Sequence, residues 1–449
     1  MNIGFVSLGC PKNQLDTEVM LHELMTAGFE ITPDENEADV IVVNTCAFIE
    51  SAKQESIDAI LDVARLKAER LKAIIVTGCL AERYREDILN ELPEVDAVLG
   101  VGSIHEIVKT AKAVLEAKKV SKGSPRICSC LPNDEVKLGG DRILTTPEHF
   151  SYLKISEGCD NRCTYCAIPS IRGKFRSRPI EDLIAEAKEL GEIGIKELCI
   201  IAQDTTRYGV DLYGEYSLHT LLRRLTEETD IPWFRLLYCY PDKVTDQLIA
   251  EIRDNDRIVK YIDMPLQHIS DPVLKRMNRR GDSTLIKGVI EKLRREIPEI
   301  VIRTTFIVGF PGETEEDFEK LCDFIHETKF DRAGVFTYSR EEGTPAYDMD
   351  GQVDEQVKQD RLDLLMRDQL DINTAMNEAK IGKTLTLIYE GFDDISQMHF
   401  GRSYADAPEI DGKIYFKLKK RVPLEIGDFV KVKITEAFDY DLVGVLTSK

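Results

Sequence analysis

The stretch EGCDNRCTYCA, residues 157 to 167, places three cysteines in C-x3-C-x2-C order: Cys159, Cys163 and Cys166. Cysteine thiolates bind zinc and iron–sulfur clusters, and both kinds of site usually take four ligands. A structural zinc site is the simpler interpretation, but such sites commonly combine two C-x2-C pairs, and the sequence has no second C-x2-C. Three cysteines suit a 4Fe-4S cluster whose fourth iron is open to a small molecule.

A second set of cysteines, Cys10, Cys46 and Cys79, occurs in the contexts SLGCPKN, VNTCAF and VTGCLAE. Each follows a short apolar run that predicts a strand, and each precedes a helical pattern. The carboxyl ends of parallel strands line one crevice of an open sheet, where helix amino termini favour thiolates. A single cysteine in such a place is more often a small buried apolar residue. Three in equivalent positions predict that the thiols converge.

The strands that would position these cysteines fall into two α/β series. The first predicts a parallel sheet with crossover helices, from apolar runs at 3–8, 40–45, 73–78 and 97–100. Glycine, proline and polar residues then interrupt the periodicity from about 121 to 147. The second series predicts a partial (β/α)6 barrel, from runs at 152–156, 197–203, 233–239, 261–267, 301–309 and 334–339.

The remaining chain predicts a charged helical connector over 355–379 and then short strands with period-two alternation. These strands lie in TLTLIYEGF, DGKIYFKLKK, FVKVKITEAF and LVGVLTSK. We therefore expect an α/β fold with four successive parts. They are an N-terminal open parallel α/β domain (1–124), a linker (125–147), a TIM-like (β/α)6 core (148–378) and a small antiparallel β-barrel (379–449).

Together these features resemble the methylthiotransferases of the radical S-adenosylmethionine (radical SAM) superfamily, over essentially the whole chain. The superfamily signature is C-x3-C-x2-C after the first strand of a partial barrel; here the motif follows YLKISEG, and Tyr165 precedes its last cysteine. The resemblance implies a radical SAM 4Fe-4S cluster on Cys159, Cys163 and Cys166, and an auxiliary 4Fe-4S cluster on Cys10, Cys46 and Cys79. It also implies that S-adenosyl-L-methionine is the missing fourth ligand and that the final module is a TRAM domain.

In this family S-adenosylmethionine is both methyl donor and radical source. One molecule methylates sulfur associated with the auxiliary cluster. A second yields a radical that removes hydrogen from an unactivated carbon, which no side-chain base can do. The resemblance therefore implies two outside partners, a low-potential electron donor and a sulfur donor, and it implies that both clusters face one cavity.

The family has one branch that modifies an adenosine of tRNA and another that modifies the β-carbon of an aspartate in protein twelve of the small ribosomal subunit. The tRNA branch typically has G-C-Q-M-N after its first strand. SLGCPKNQLDTE is instead similar to the S-L-G-C-P-K-N-x-x-D-S-E pattern of the ribosomal branch, with Thr17 in place of serine. We expect the ribosomal protein as substrate, with a tRNA enzyme as the alternative.

Charge bears on the same choice. Residues 380–449 contain 11 lysines and arginines and 11 aspartates and glutamates, whereas a tRNA-docking surface is normally basic. The one basic cluster there, KLKKR at 417–421, is interpreted as a solvated strand edge. The net charge of the chain, -21, disfavours a broad nucleic-acid footprint and suits a basic protein partner.

Composition limits the other classes of protein. Of 449 residues, 43% are hydrophobic and 31% charged, and no apolar run approaches the length of a membrane span. The start, MNIGFVSLGCPKN, lacks a basic segment before a long apolar run, so we expect no signal peptide and a cytoplasmic protein. A non-catalytic iron–sulfur or zinc-binding interaction protein is the alternative from another class.

Further polar residues follow the cluster motif or lie at strand ends. The basic residues of IRGKFRSR suit a cofactor carboxylate, an acidic substrate or a solvated loop; they are Arg172, Lys174, Arg176 and Arg178. Gln203, Asp204 and Gly309 lie where S-adenosylmethionine should bind in such a barrel. Neither the seven histidines nor the other five cysteines form a metal pattern. Those cysteines, expected to be core residues or spare thiols, are Cys128, Cys130, Cys199, Cys239 and Cys322.

Overall fold

The computed structural model describes residues 1–120, 126–133, 136–418 and 422–449. Residues 125, 134 and 135 of the predicted linker, and residues 419–421 of the basic cluster, lie outside this part of the chain. The chain forms two compact units. The first contains Met1–Thr145, Ser156–Arg178 and Ser339–Tyr347; the second contains Thr146–Ile155, Pro179–Tyr338 and Asp348–Lys449.

The described residues form strands and helices that we number in chain order. The strands are β1 (Asn2–Ser7), β2 (Glu30–Ile31), β3 (Val40–Thr45), β4 (Ala73–Gly78), β5 (Ala97–Leu99), β6 (Ile127–Ser129), β7 (Phe150–Lys154), β8 (Ser156–Glu157), β9 (Arg176–Ser177), β10 (Glu197–Ile201), β11 (Trp233–Leu236), β12 (Ile258–Asp263), β13 (Val301–Val308), β14 (Arg332–Thr337), β15 (Thr384–Asp393), β16 (Met398–Ser403), β17 (Ile414–Lys417), β18 (Phe429–Ala437) and β19 (Leu442–Ser448). The helices are α1 (Pro11–Thr26), α2 (Glu50–Arg65), α3 (Cys79–Glu91), α4 (Ile107–Val120), α5 (Ile168–Arg172), α6 (Ile180–Glu192), α7 (Val210–Tyr213), α8 (Leu218–Glu228), α9 (Asp246–Asp254), α10 (Asp271–Arg276), α11 (Ser283–Glu296), α12 (Glu315–Thr328) and α13 (Glu355–Glu378).

The first unit contains a parallel sheet in the order β2-β1-β3-β4-β5-β6. Helices cover both of its faces, so β3 and β4 are buried along their whole length, as their uninterrupted apolar runs predict. The parallel α/β prediction is therefore confirmed. Two strands of this sheet differ from the sequence-based expectation: the two-residue β2, which pairs with β1, and β6, which lies in the predicted linker and pairs with β5. Both runs are too short for periodicity to detect.

The second unit contains a six-stranded parallel sheet in the order β14-β13-β12-β11-β10-β7, which confirms six strands of a (β/α)6 core. Within the described residues β7 and β14 do not pair with each other, so the barrel is incomplete. Amphipathic helices fill the connections; α8, for example, buries Leu218, Leu221, Leu222 and Leu225 on one face. None of the described helices is both long and apolar enough to cross a membrane.

The same unit ends in a small closed barrel in the order β15-β16-β17-β19-β18, preceded by the predicted connector helix α13. The β-barrel prediction is confirmed, with two differences. β17 and β19 pair in parallel, whereas the other neighbours are antiparallel. β16 was not among the predicted strands, because its sequence MHFGRS has a central glycine and no clear alternation.

Buried charges join the small barrel to the amino ends of the parallel strands within this unit. Glu197, at the start of β10, accepts hydrogen bonds from Arg235 at 2.6 Å and from Arg402 of β16 at 2.7 Å. Arg332, at the start of β14, donates to Asp406 at 2.8 Å. Each of these side chains is buried, so the two barrels are held together by ion pairs that water does not screen.

Candidate metal centre

Cys10, Cys46 and Cys79 lie at the carboxyl ends of three neighbouring strands, β1, β3 and β4. The register aligns Ser7 with Asn44, and Thr45 with Gly78, so the three strands end at the same level. Cys10 caps α1 and Cys79 begins α3. The three cysteines therefore lie at one edge of the sheet, as their positions after the strands predict.

Glycines before two of these cysteines allow the tight turns. Gly9 has a φ of 92°, and a Cβ atom there would lie 3.0 Å from Cys46 Cβ and 3.3 Å from its sulfur. Gly78 has a φ of 91°, and its Cβ would lie 2.3 Å from the side-chain oxygen of Asn44. Both positions combine a left-handed conformation with a close neighbour, which only glycine accepts without strain.

The polar residues of CPKNQLDTE hold the cysteine loops. The buried Asn13 amide donates to the carbonyls of Leu8 at 3.2 Å and Thr45 at 2.9 Å, which joins the turns before Cys10 and Cys46. Thr17, found where the family pattern has serine, keeps the hydroxyl function: it accepts a hydrogen bond from Asn44 at 2.9 Å and lies 2.9 Å from the hydroxyl of Ser7. The replacement therefore preserves the network.

Burial sets the protonation of these thiols. It raises the pKa of the Cys79 thiol to about 12, although the positive charge of Arg172 opposes the effect, and it raises the pKa of Cys46. Such thiols are neutral near pH 7 in the apoprotein. A metal must therefore displace their protons, and its affinity depends on pH.

The C-x3-C-x2-C loop belongs to the same unit. The antiparallel pair β8 and β9 closes its two ends, and the Cys159 N–H donates to the Gly173 carbonyl at 3.1 Å. Gly158, at a φ of 77°, leaves no room for a Cβ atom, which would lie 2.1 Å from the Lys174 carbonyl oxygen. Cys159 and Cys163 are buried and Cys166 is half-buried. The loop is therefore a compact, preformed cysteine site.

A third chain segment, Ser339–Tyr347, supports both cysteine sites. The Ala346 N–H donates to the carbonyl of Thr164, inside the cluster loop, at 2.9 Å. The buried Glu341 accepts from Arg83 of α3 at 2.9 Å and lies 3.2 Å from Lys53 of α2. Sequence analysis missed Glu341, because its partners are far away in the chain and no local pattern marks it.

The donor sets suit clusters rather than one ion. No three histidine, cysteine or acidic side chains within the described ranges come close enough to hold a single metal ion. In a 4Fe-4S cluster each cysteine binds a different iron, so the thiolates are spread more widely. One set of three cysteines lies on neighbouring strand ends and the other on a closed loop, and each supplies the three thiolates that a predicted cluster needs.

The residues predicted to contact S-adenosylmethionine lie in the second unit, and their role stays a prediction. The fully buried Asp204 carboxylate is paired with Lys243 at 2.7 Å and accepts from Thr206 at 2.8 Å. Gly309 has a φ of 70°, and a Cβ there would lie 2.2 Å from Cγ of Lys358 on α13. Gln203 is half-buried just after β10. Asp204 and Gly309 thus have structural roles that explain their residue types.

The basic residues of IRGKFRSR are mostly not solvated. Lys174 is exposed, but Arg172 and Arg178 are buried, and Arg176 donates to the backbone carbonyls of Asn133 at 2.5 Å and Val136 at 2.8 Å. The solvated-loop interpretation is wrong for these arginines, because the loop folds back onto the first unit. Among the other cysteines, Cys199 and Cys239 are core residues with no exposed surface.

Family models match three parts of the chain. Residues 2–100 match an uncharacterized protein family, UPF0004, residues 153–325 match the radical SAM superfamily, and residues 381–446 match the TRAM domain. A ribosomal protein uS12 methylthiotransferase RimO from Thermoanaerobacter sp. (strain X514) is 52% identical over 443 residues, which are 99% of each chain. The protein of the same name from Caldanaerobacter subterraneus subsp. tengcongensis is 54% identical over 444 residues, again 99% of each.

The chain belongs to the RimO family of methylthiotransferases. RimO proteins from Desulforamulus reducens and Clostridium tetani are 52% and 50% identical to it. Identity of this kind covers all three modules that the family models match in this chain.

Solved structures show the same fold as this chain at low identity. The radical S-adenosylmethionine methyltransferase TsrM from Kitasatospora setae, with cobalamin and a [4Fe-4S] cluster bound, aligns at a TM-score of 0.57 with 15% identity, over 77% of this chain and 76% of that one. The cobalamin-dependent radical enzyme OxsB aligns at 0.51 with 15% identity, over 83% of this chain and 56% of that one. Membership of the radical SAM superfamily supports an iron–sulfur cluster and S-adenosylmethionine as cofactors.

Proposed function

We propose that this chain is a radical SAM methylthiotransferase that adds a methylthio group to the β-carbon of an aspartate in ribosomal protein uS12. The observation that carries the proposal is its identity of about 50% to RimO proteins over the full length. The SLGCPKNQLDTE motif supports it at the residue level, because Asn13, Asp16, Thr17 and Glu18 are all buried and hydrogen-bonded on the helix that begins after Cys10.

We further propose that the chain holds two 4Fe-4S clusters. Cys159, Cys163 and Cys166 would bind the radical SAM cluster, and Cys10, Cys46 and Cys79 the auxiliary cluster. Both sets belong to one compact unit, and each stands on turns that glycine alone permits. A reduced 4Fe-4S cluster with S-adenosylmethionine supplies the radical that can remove hydrogen from an unactivated carbon.

Residues of the chain position the cysteines and exclude water from them. The closed β8–β9 turn keeps Cys159 and Cys163 buried, so water has little access to their side of the loop. Asn13 and Glu341 fix the elements that carry the cysteines through buried hydrogen bonds. An electron donor of low potential and a sulfur donor complete the proposed requirements.

Protein rather than nucleic acid is the proposed substrate. The TRAM domain is electrically balanced, and the half-buried Asp393 and the exposed Asp394 lie between the exposed Phe392 and Ile395 at the β15–β16 turn. Such a surface suits a basic ribosomal protein better than the phosphates of tRNA.

Mass spectrometry in a host lacking its own enzyme tests the substrate. The gene is supplied, and uS12 and digested tRNA nucleosides are examined before and after. We expect a methylthio gain on the uS12 aspartate and no change in tRNA. A gain on adenosine alone would instead assign the chain to the tRNA branch.

Anaerobic reconstitution tests the non-catalytic alternative. The proposed enzyme should bind about eight irons per chain and release 5'-deoxyadenosine from S-adenosylmethionine on reduction. A zinc scaffold would do neither. The Cys128→Ser variant is the matched control, because Cys128 is an exposed thiol outside both sets.

A further inference from the structure

Arg172 ends α5, and its side chain is only 2% exposed. A guanidinium is charged at every accessible pH, so its burial requires close partners. Nη1 donates to Asp16 at 2.6 Å and lies 3.4 Å from Glu157. Nη2 donates to Asn13 at 2.5 Å and lies 3.9 Å from the sulfur of Cys79.

These partners come from the elements that carry both cysteine sets. Asn13 and Asp16 belong to α1, which Cys10 caps, and Cys79 begins α3. Glu157 belongs to β8, which leads into Cys159. A single buried cation, itself just after the C-x3-C-x2-C loop, therefore contacts the proposed auxiliary ligand Cys79 and also Glu157, just before that loop.

We propose that Arg172 is a positioning residue for the auxiliary cluster. Its guanidinium donates to the Cys79 sulfur, favours the reduced state of that cluster and fixes the radical SAM loop. The proposal rests on the two-cluster assignment made above. A thiolate bound to iron is negative, and reduction adds a further negative charge to the cluster. A buried cation nearby stabilises the reduced state more than the oxidised state, and hydrogen bonds to cluster sulfurs act in the same direction. Asp16 carries the opposite charge in the same network, so it must act in the opposite sense.

A redox titration followed by electron paramagnetic resonance tests this directly. The full-length protein carries alanine at Cys159, Cys163 and Cys166, so that only the auxiliary site loads, with about four irons. The reference is the potential at which this protein is half reduced. At that potential, Arg172→Gln should lower the ratio of reduced to oxidised cluster at least tenfold. This change corresponds to a decrease of about 59 mV in the midpoint potential for one electron. Asp16→Asn should raise the ratio. Arg176→Gln is the matched control, because Arg176 lies in the same loop and donates to backbone carbonyls.

Arg172→Gln and Asp16→Asn should shift the midpoint potential in opposite directions if charge is the cause. Loss of structure would shift the potential of both variants in the same direction. Arg172→Lys keeps the charge without the planar fork and should shift the ratio less than Arg172→Gln; it carries the test if Arg172→Gln does not fold. The role of Arg172 would be overturned if the Arg172 and Asp16 variants load the cluster but shift its potential no more than Arg176→Gln does. That result would leave the two-cluster assignment intact. A starting protein that binds no iron would overturn the assignment and this proposal together.

Discussion

Gly78 connects β4 to Cys79 in a left-handed conformation while the side chain of Asn44 and the backbone of Thr45 occupy the space where a Cβ would lie. Any other residue at position 78 would be strained, and relief of that strain would displace Cys79, the first residue of α3. Backbone conformation at one residue therefore controls whether the three auxiliary thiols can meet.

Gly78→Ala should lower the free energy of unfolding by more than the ~1–3 kcal/mol typical of a non-glycine residue in such a conformation, and should lower the iron content. Thermal denaturation and iron analysis measure the two effects. Gly28→Ala is the control, because Gly28 has a φ of 88° but no atom within 4 Å of its Cβ position. Equal losses in both variants would show that the clash at Gly78 has no effect.

The two cysteine sets should fail in different ways. Cys163→Ala should abolish release of 5'-deoxyadenosine, because the radical SAM cluster loses a ligand. Cys46→Ala should prevent methylthio transfer while some release continues. Chromatography of the nucleoside and mass spectrometry of the substrate measure both. Full product from the Cys46→Ala variant would refute the two-cluster assignment.

At the scale of elements, sequence periodicity predicted the strands and helices whose apolar pattern is clear. The bounds of β3 and β4 coincide with their apolar runs, and the cysteines after them converge because neighbouring parallel strands end together. What the sequence could not predict depends on distant partners. Arg172 and Asp16 are 156 positions apart, so no local signal distinguishes this buried ion pair from a solvated loop. The predicted domain boundaries stay a prediction.

The junction of the two barrels in the second unit depends on Glu197. Glu197→Gln removes a buried carboxylate from between Arg235 and Arg402 and should lower the free energy of unfolding by about 3–5 kcal/mol, because the arginines lose their counter-charge. Urea denaturation followed by Trp233 fluorescence measures it, since the single tryptophan packs against Phe429 of the small barrel at 5.1 Å. Glu228→Gln, which weakens surface ion pairs with Lys188 and Arg224, should leave the midpoint nearly unchanged.

The same junction should be sensitive to acid. Burial opposes ionisation of Glu197 and Asp406, but the neighbouring arginines outweigh it and hold the pKa of each carboxyl below its ordinary value. The stability that they contribute is therefore complete above about pH 5 and is lost as the pH falls through the lowered values. The Trp233 urea midpoint should decrease below about pH 4.5. A midpoint that rises with acid would contradict this sign.

At the scale of the whole molecule, both cysteine sets belong to the first unit, although that unit is built from three separate stretches of chain. If the proposed clusters bind to the folded state alone, they should stabilise this unit. Hydrogen exchange should show increased protection on anaerobic loading in residues 1–120, 156–178 and 339–347. Peptides of the small barrel, residues 384–417, serve as the internal reference. Increased protection in the small-barrel peptides alone would show that the clusters do not bind in the first unit.

The contact of Glu341 with Lys53 and Arg83 also has a consequence for synthesis of the chain. The segment that completes the first unit leaves the ribosome only after all six strands of the (β/α)6 core have been made. The amino-terminal sheet can form early, as domains generally do during translation. The surroundings of its cysteines, however, are complete only once Ser339–Tyr347 has been made, so the proposed clusters should be inserted late in synthesis of the chain.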